Sequence, residues 1–215
     1  MPTEQSYKIK TKHKNLVLRV SKGHFATSHS HINYYIDVTA QKARLSEATA
    51  VAHALLSHYN TNTLVDAILC LDGTQVIGTC LARELTAAGY TNLNAHQTIY
   101  VLTPEHTSGS QIFFRDNTIP MIEGKNVLIL AASVTTGYAA KSAVEAIHYY
   151  KGHVAGIAAI FSSISTCMDY TVQSVFDTAD LQEYASYPSH ECPMCKEGKK
   201  IDALVNGFGY SKLEF

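Results

Sequence analysis

The chain has 215 residues, a formal net charge of −1, 46% hydrophobic residues and 16% charged residues. A chain of this length can bury a full core, so we predict one domain. The near-neutral charge provides no general attraction to nucleic acid or acidic lipid, and no apolar run approaches the ~20 residues of a membrane helix. Five cysteines, an odd number, argue against a disulfide framework, so we expect a reducing, cytoplasmic setting.

The first forty residues predict strands. Leu16, Leu18 and Val20 alternate with polar and basic residues, which is typical of a strand with one exposed face. Residues 34–37 are aromatic and β-branched, which also favours a strand. We interpret the lysines of residues 1–22 as the solvated face. Nucleic-acid binding is disfavoured because the lysines are not interleaved with aromatic residues.

Helices and strands then alternate along the chain. Apolar residues at spacings of three and four predict a helix at 45–59, and the apolar run 64–71 has the length of a strand. Apolar strands joined by helices predict a parallel sheet that is covered on both faces. The later predicted elements are a helix at 75–88, a strand at 97–102, a mobile loop or hairpin at 103–120, a strand at 127–131, a helix at 139–150 and a strand at 153–161.

The segment 124–138 is the most informative part of the chain. Its apolar strand leads into a turn rich in Ser, Thr and Gly, which feeds the start of a helix. A helix N-terminus presents unpaired backbone N–H groups and the positive end of the helix dipole, so it is suited to binding a phosphate. The predicted phosphate-binding residues are Ser133, Thr135, Thr136, Gly137, Tyr138 and Ala139.

Residues 134–137, Val-Thr-Thr-Gly, resemble the phosphoribosyl-pyrophosphate loop of the type I phosphoribosyltransferases. In that family the preceding strand ends in two acidic residues, which align here with Ala131 and Ala132. Residues 25–37 are similar to the N-terminal segment of the orotate phosphoribosyltransferases. Residues 68–74 lie where that family keeps its pyrophosphate loop, which implies that Asp72, Gly73 and Thr74 line the pyrophosphate side.

The resemblance implies a type I phosphoribosyltransferase fold, an α/β architecture with a central parallel sheet of about five strands and a small hood. We divide the single domain 1–215 into an N-terminal hood segment, 1–44, an α/β core, 45–185, and a tail, 186–215. The implied ligand is a 5′-phosphorylated ribose compound, either phosphoribosyl pyrophosphate or a nucleotide. Mg²⁺ is implied only if the protein is catalytically active, and a homodimer is implied as well.

The side chains that carry catalysis in that family are missing. The family's mobile loop contains Arg-Lys and a later Lys-x-His-Gly, whereas residues 101–109 have His106 as their only potential cation. Alanines at the strand end cannot accept a hydrogen bond from a hydroxyl through their side chains. We therefore leave the catalytic residues unassigned and consider two interpretations, a transferase of weakened or altered activity and a non-catalytic nucleotide-sensing or regulatory protein. Possible substitute carboxylates are Asp72, Glu105, Asp116 and Glu123.

Cys192 and Cys195 form a second chemical signal, because the C-x₂-C spacing is that of half of a structural zinc site. Tetrahedral zinc needs two more ligands, and such a metal would join the hood to the tail. The alternative is a reduced cysteine pair without metal. A redox pair is disfavoured, since a thioredoxin-type motif opens a helix after a strand. The candidates for the remaining ligands are His29, His31, His190 and Cys167.

Overall fold

The computed structural model describes residues 6–10, 16–59, 61–87, 89, 92–108 and 111–213. Within these ranges, none of the helices has both the length and the apolar character that crossing a membrane requires. The helices are α1 (Thr39–Ala43), α2 (Leu45–Leu56), α3 (Gln75–Leu85), α4 (Tyr138–Tyr149) and α5 (Pro193–Lys196). The strands are β1 (Ser6–Lys10), β2 (Val17–Ala26), β3 (His31–Asp37), β4 (Ala67–Cys70), β5 (Tyr100–Leu102), β6 (Glu105–His106), β7 (Ile112–Phe113), β8 (Asn126–Val134), β9 (His153–Ser162), β10 (Thr166–Cys167), β11 (Tyr170–Asp177), β12 (Ser186–Tyr187), β13 (Ala203–Asn206) and β14 (Gly209–Lys212).

The core sheet has the strand order β10-β11-β9-β8-β4-β5. Five of these strands run parallel, and only β10 is antiparallel to its neighbour. This confirms the predicted α/β fold with a parallel sheet of about five strands. Strand β4 is buried along its whole length, as a central parallel strand covered on both faces must be.

Helices cover both faces of the core sheet. Leu128 and Leu130 of β8 belong to a cluster that includes Leu55 of α2. The alternate residue Ile129 belongs to a second cluster, with Val144 of α4. Because successive strand residues point to opposite faces, one apolar strand supplies both layers of the core.

The hood is a second sheet, with the order β12-β3-β2-β13-β14 and with β1 paired to β2. Its strands come from both ends of the chain. Ala203 of β13 pairs with Phe25 of β2, and Ser186 of β12 pairs with Ile32 of β3. The hood therefore combines the N-terminal segment with the tail.

The element boundaries differ from the predictions by a few residues. Helices predicted at 45–59 and 75–88 end at Leu56 and Leu85, and the second predicted end, Ala88, lies outside the described residues. The predicted strand 127–131 continues as far as Val134, because β8 pairs with β9 up to Ser162. The predicted loop or hairpin at 103–120 contains the β6–β7 hairpin and a 3₁₀ turn at Ile119–Met121.

Candidate functional site

A cavity of about 450 Å³ lies where the carboxyl ends of β4 and β8 face the hood. The core contributes the turn after β8 and the start of α4. The hood contributes residues 27–29 and 34–36, and the tail contributes residues 205–208. In parallel α/β sheets this edge is the usual place for a ligand, and the volume suits a small molecule.

All six predicted phosphate-binding residues, 133 and 135–139, line this cavity. Gly137 is the N-cap of α4 and has a left-handed φ of 76°, with no side chain capping the helix. A Cβ at this position would lie 3.2 Å from Ile164 and 3.3 Å from Cys167 Sγ, so the position favours glycine both sterically and conformationally. The first turn of α4 therefore opens toward the cavity with its amides uncapped.

Only one of the three residues predicted to line the pyrophosphate side contributes to the cavity wall. Asp72 lines the cavity, but Gly73 and Thr74 are not among its lining residues. Thr74 is fully buried, and its hydroxyl donates to the carbonyls of Leu71, at 2.8 Å, and Leu130, at 2.9 Å. The side chain of Thr74 therefore ties β4 to β8 and is not available to a ligand.

The turn after β4 is held by a buried lysine. Asp72 and Gly73 have φ values of 54° and 80°, two consecutive left-handed positions. Lys42 of α1 is 9% exposed, and its ammonium donates to the carbonyls of Asp72, at 2.9 Å, and Gly207. One side chain thus connects this turn to the tail.

Asp72 is the only carboxylate among the described residues that line the cavity. Burial raises the pKa of its carboxyl group, while the ammonium of Lys42, the amide of Ala132 and His106 act in the opposite direction. The main chain before Asp72 pairs with β8, since the amide of Leu71 donates to the carbonyl of Leu130 at 2.8 Å. Asp72 therefore lies beside the strand end at which the sequence has alanines.

The β6–β7 hairpin lies within the predicted loop at 103–120 and brings His106 to the cavity. Arg115 follows the hairpin and donates to both carboxylate oxygens of Glu105, at 2.7 and 2.9 Å. Glu123 pairs with Lys151 at 3.4 Å and does not line the cavity. Asp116 does not line it either, so Asp72 is the one candidate substitute carboxylate that does.

The hood contributes several aromatic side chains to the cavity wall. Tyr34 donates its hydroxyl to Glu183 at 2.7 Å, and burial raises its pKa to about 12. The ring of His29 packs against that of Tyr138, with centroids 4.1 Å apart. This contact joins the hood turn to the first residue of α4, so it bridges the two sides of the cavity mouth.

Away from this cavity, His24, His31, Cys192 and Cys195 bring their ligand atoms within 4.8 Å of one another. His24 Nε2 lies 3.1 Å from His31 Nδ1 and 3.5 Å from Cys192 Sγ. Cys195 Sγ lies 3.7 Å from His24 Nε2 and 3.2 Å from His31 Nδ1. In tetrahedral zinc, ligand atoms lie roughly 3.3–3.8 Å apart, so the four residues can hold a metal ion such as zinc.

His24 is the member of this group that sequence reasoning missed. It is fully buried, and its Nδ1 lies 2.9 Å from the carbonyl of Lys199. A protonated Nδ1 donating to that carbonyl leaves Nε2 free for a metal, which is a common outer-shell arrangement. No spacing in the sequence pointed to His24, because strand pairing between β2 and β3 brings it beside His31.

Three of the predicted ligand candidates lie outside the group. His29 packs on Tyr138, and His190 Nε2 lies 3.3 Å from a carboxylate oxygen of Glu191. Cys167 lies beside Gly137, at the phosphate turn. The structure therefore brings together Cys192, Cys195 and His31 of the predicted set and adds His24.

Comparisons by sequence and by structure both find similarity to orotate phosphoribosyltransferases. No family model matches the chain. The sequence is 26% identical over 187 residues to the orotate phosphoribosyltransferase of Chlorobium phaeobacteroides, covering 84% of this chain and 86% of that protein. The Mycobacterium tuberculosis H37Rv orotate phosphoribosyltransferase, solved with Fe(III) dicitrate, aligns with a TM-score of 0.53 and 18% identity over 76% of this chain and 92% of that one. The same enzyme in complex with 5-phospho-α-D-ribosyl 1-diphosphate aligns with a TM-score of 0.51 and 18% identity, covering 68% and 82% of the two chains.

Proposed function

We propose that this chain, which is similar in sequence and fold to orotate phosphoribosyltransferases, is a type I phosphoribosyltransferase-like protein that binds a 5′-phosphorylated ribose compound beneath the hood. The ligand is phosphoribosyl pyrophosphate or a nucleotide. The observation that carries the proposal is the uncapped start of α4, which opens into the cavity behind a left-handed Gly137. Free amides and the helix dipole together favour a phosphate dianion at this point.

The remaining walls fit the other parts of such a ligand. The phosphate is held by the amides of residues 135–139 and by the hydroxyls of Ser133, Thr135 and Thr136. The ribose then extends toward the ends of β4 and β8. The base, or its equivalent, faces Tyr34 and Tyr35 of the hood, which line the opposite side of the cavity. Aromatic faces accept a planar base by stacking.

We further propose that transferase activity is weakened or altered. Displacing pyrophosphate requires positive charge beside the leaving group. Arg115 is bound to Glu105 through two hydrogen bonds, and among the described lining residues only the two histidines, His29 and His106, can become cationic. Mg²⁺, implied only for an active enzyme, would be held mainly by the ligand's phosphates and water. Losing one transition-state contact costs about 2.7–4 kcal/mol, and several such losses do not simply add.

The second candidate function is a non-catalytic nucleotide sensor or regulator. It is favoured by the same pattern, because the phosphate turn is intact whereas the strand end carries Ala131 and Ala132. Binding without turnover is the outcome that separates it from a transferase. The resemblance extends either proposal to a homodimer in a cytoplasmic setting, which light scattering and cell fractionation would test.

The ligand proposal is tested with Gly137→Val and a matched control, Gly124→Val. Both glycines have left-handed φ values, 76° and 68°, but only Gly137 lies at the cavity. Titration calorimetry with ribose 5-phosphate should show binding to the wild type and the control, and at least about a tenfold loss for Gly137→Val. Unchanged affinity in a folded Gly137→Val protein would refute the site.

A transferase assay separates the two functional candidates. The wild-type protein is incubated with orotate or other bases, phosphoribosyl pyrophosphate and Mg²⁺, and released pyrophosphate is measured. Slow release above the rate without protein supports a weakened transferase. Calorimetric binding without any release supports the regulator.

We also propose that the metal centre holds a structural zinc ion. Two imidazoles and two thiolates form a complete tetrahedral set, which leaves no open position for chemistry. Cys192 is fully buried at the junction of the hood and the tail. The zinc would therefore fasten the tail to strands β2 and β3.

A further inference from the structure

We propose that Asp72 is a ligand-binding residue, whose carboxylate accepts hydrogen bonds from the ribose hydroxyls and so replaces the acidic side chains absent from the end of β8. This inference rests on the proposed function, since it requires a phosphorylated pentose in the cavity. The backbone amides of the turn at 133–137 bind a phosphate and do not recognise the sugar. Asp72 would supply that recognition.

The first argument is position. Asp72 follows β4 directly, and β4 lies next to β8 in the core sheet. The amide of Leu71, the residue before Asp72, donates to the carbonyl of Leu130 at 2.8 Å, so Asp72 lies beside the end of β8. The phosphate turn begins three residues after Leu130, at Ser133. At roughly 3.3 Å per residue, the turn and the carboxylate lie within about 10 Å of each other, a span that a phosphorylated pentose can bridge.

The second argument is preorganisation. The turn that carries Asp72 has two consecutive left-handed residues, and Lys42 holds its backbone through the carbonyl of Asp72. A Cβ added to Gly207 would collide with the Asp72 carboxyl group, so the tail packs closely behind it. A carboxylate fixed in this way before the ligand arrives loses little conformational entropy on binding.

The third argument is chemistry. A carboxylate offers only acceptors, and a sugar diol offers two donors, so the two groups are complementary. Of the other candidate carboxylates, Glu105 is bound to Arg115, Glu123 is paired to Lys151, and Asp116 does not line the cavity. Burial raises the pKa of the Asp72 carboxyl group, and the ammonium of Lys42 opposes that shift in favour of the ionised form, which offers acceptors to both hydroxyls.

The test compares Asp72→Asn with the wild type for three ligands, ribose 5-phosphate, 2-deoxyribose 5-phosphate and inorganic phosphate. Asparagine keeps the size and one acceptor but loses the charge. A hydrogen bond to a charged group contributes about 1.5–3 kcal/mol, which corresponds to roughly a 10- to 100-fold loss of affinity for ribose 5-phosphate. The loss should be smaller for the deoxy sugar, and phosphate affinity should change less than about twofold.

The control variant is Glu123→Gln, which removes an exposed carboxylate that does not line the cavity. It should leave all three affinities unchanged. An Asp72→Asn protein that loses affinity equally for all three ligands, or for none, would overturn the inference while leaving the phosphate site standing. A wild-type protein that binds neither sugar phosphate would overturn both this inference and the proposed function.

Discussion

Lys42 shows how a single buried residue can connect two distant parts of the chain. Burial lowers the pKa of its ammonium group, and the nearby carboxylates of Asp72 and Asp37 oppose that shift. Its hydrogen bonds to the carbonyls of Asp72 and Gly207 satisfy two backbone groups that belong to different elements. The lysine therefore fixes the turn after β4 and the tail hairpin relative to each other.

Replacing this lysine should destabilise the protein. Lys42→Met keeps much of the side chain's length but leaves two carbonyls without a donor, and we expect a loss of about 2–4 kcal/mol in the free energy of unfolding. Urea denaturation measures the change. Lys151→Met is the control, because Lys151 is exposed and loses only a surface ion pair with Glu123, worth about 0–1 kcal/mol. Equal effects of the two substitutions would contradict the role given to Lys42.

At the scale of elements, the group of His24, His31, Cys192 and Cys195 connects three elements. His24 lies on β2 and His31 begins β3, whereas Cys192 immediately precedes α5 and Cys195 lies within it. The same segments lead to the cavity, since His31 follows the hood turn and the tail continues from α5 to residues 205–208. Zinc would therefore stabilise both walls that the hood and tail contribute, without contacting the ligand.

His24→Ala should remove the metal and loosen these walls. We expect about one equivalent of zinc in the wild type and less than about a tenth in the variant, with a lower Tm and weaker ribose 5-phosphate binding. Mass spectrometry of metals, thermal unfolding and calorimetry measure these quantities. His190→Ala is the control, because His190 lies outside the group and beside Glu191. Full zinc retention in His24→Ala would rule out the proposed ligand set.

At the scale of the whole molecule, the hood and the core sheet share one hydrophobic core. Leu18 and Val20 of β2 and Tyr34 of β3 belong to the same buried cluster as Leu55 of α2 and Leu128 of β8. The boundary at residue 44 therefore separates two segments of sequence but not two hydrophobic cores, because apolar contacts cross it. Continuous packing of this kind couples the unfolding of the two sheets.

We predict that zinc-replete protein unfolds in one transition. Leu18→Ala in the hood should lower the free energy of unfolding by about 2–5 kcal/mol, because it opens a cavity in the shared cluster. The far-UV circular dichroism signal of the helices and the near-UV signal of the tyrosines, which lie in both sheets, should shift together. Leu204→Ala is the control, since Leu204 is 51% exposed. A near-UV transition that separates from the far-UV transition would contradict the single-domain prediction.

Local patterns were enough to predict the fold and the turn that lines one side of the cavity. Apolar runs alternating with helices indicate a covered parallel sheet, and the Thr-Thr-Gly turn before a helix predicts an anion site, because both depend on neighbours in sequence. The same reasoning could not separate Asp72 from Thr74. One side chain faces the cavity and the other bonds the carbonyl of Leu130 on the neighbouring strand.

The sequence by itself determined the alternation of strands and helices, the uncapped helix start and the cysteine pair, since each is a property of consecutive residues. Only the tertiary structure decided that His24 completes the metal group and that Asp72 alone of the candidate carboxylates lines the cavity. The hydrogen-bond partners of Lys42 were likewise visible only in the folded structure. The physical reason is that the contacts of Lys42, and those of His24 with the two cysteines, join residues 30 to 171 positions apart, which pairing between strands and packing between sheets bring together.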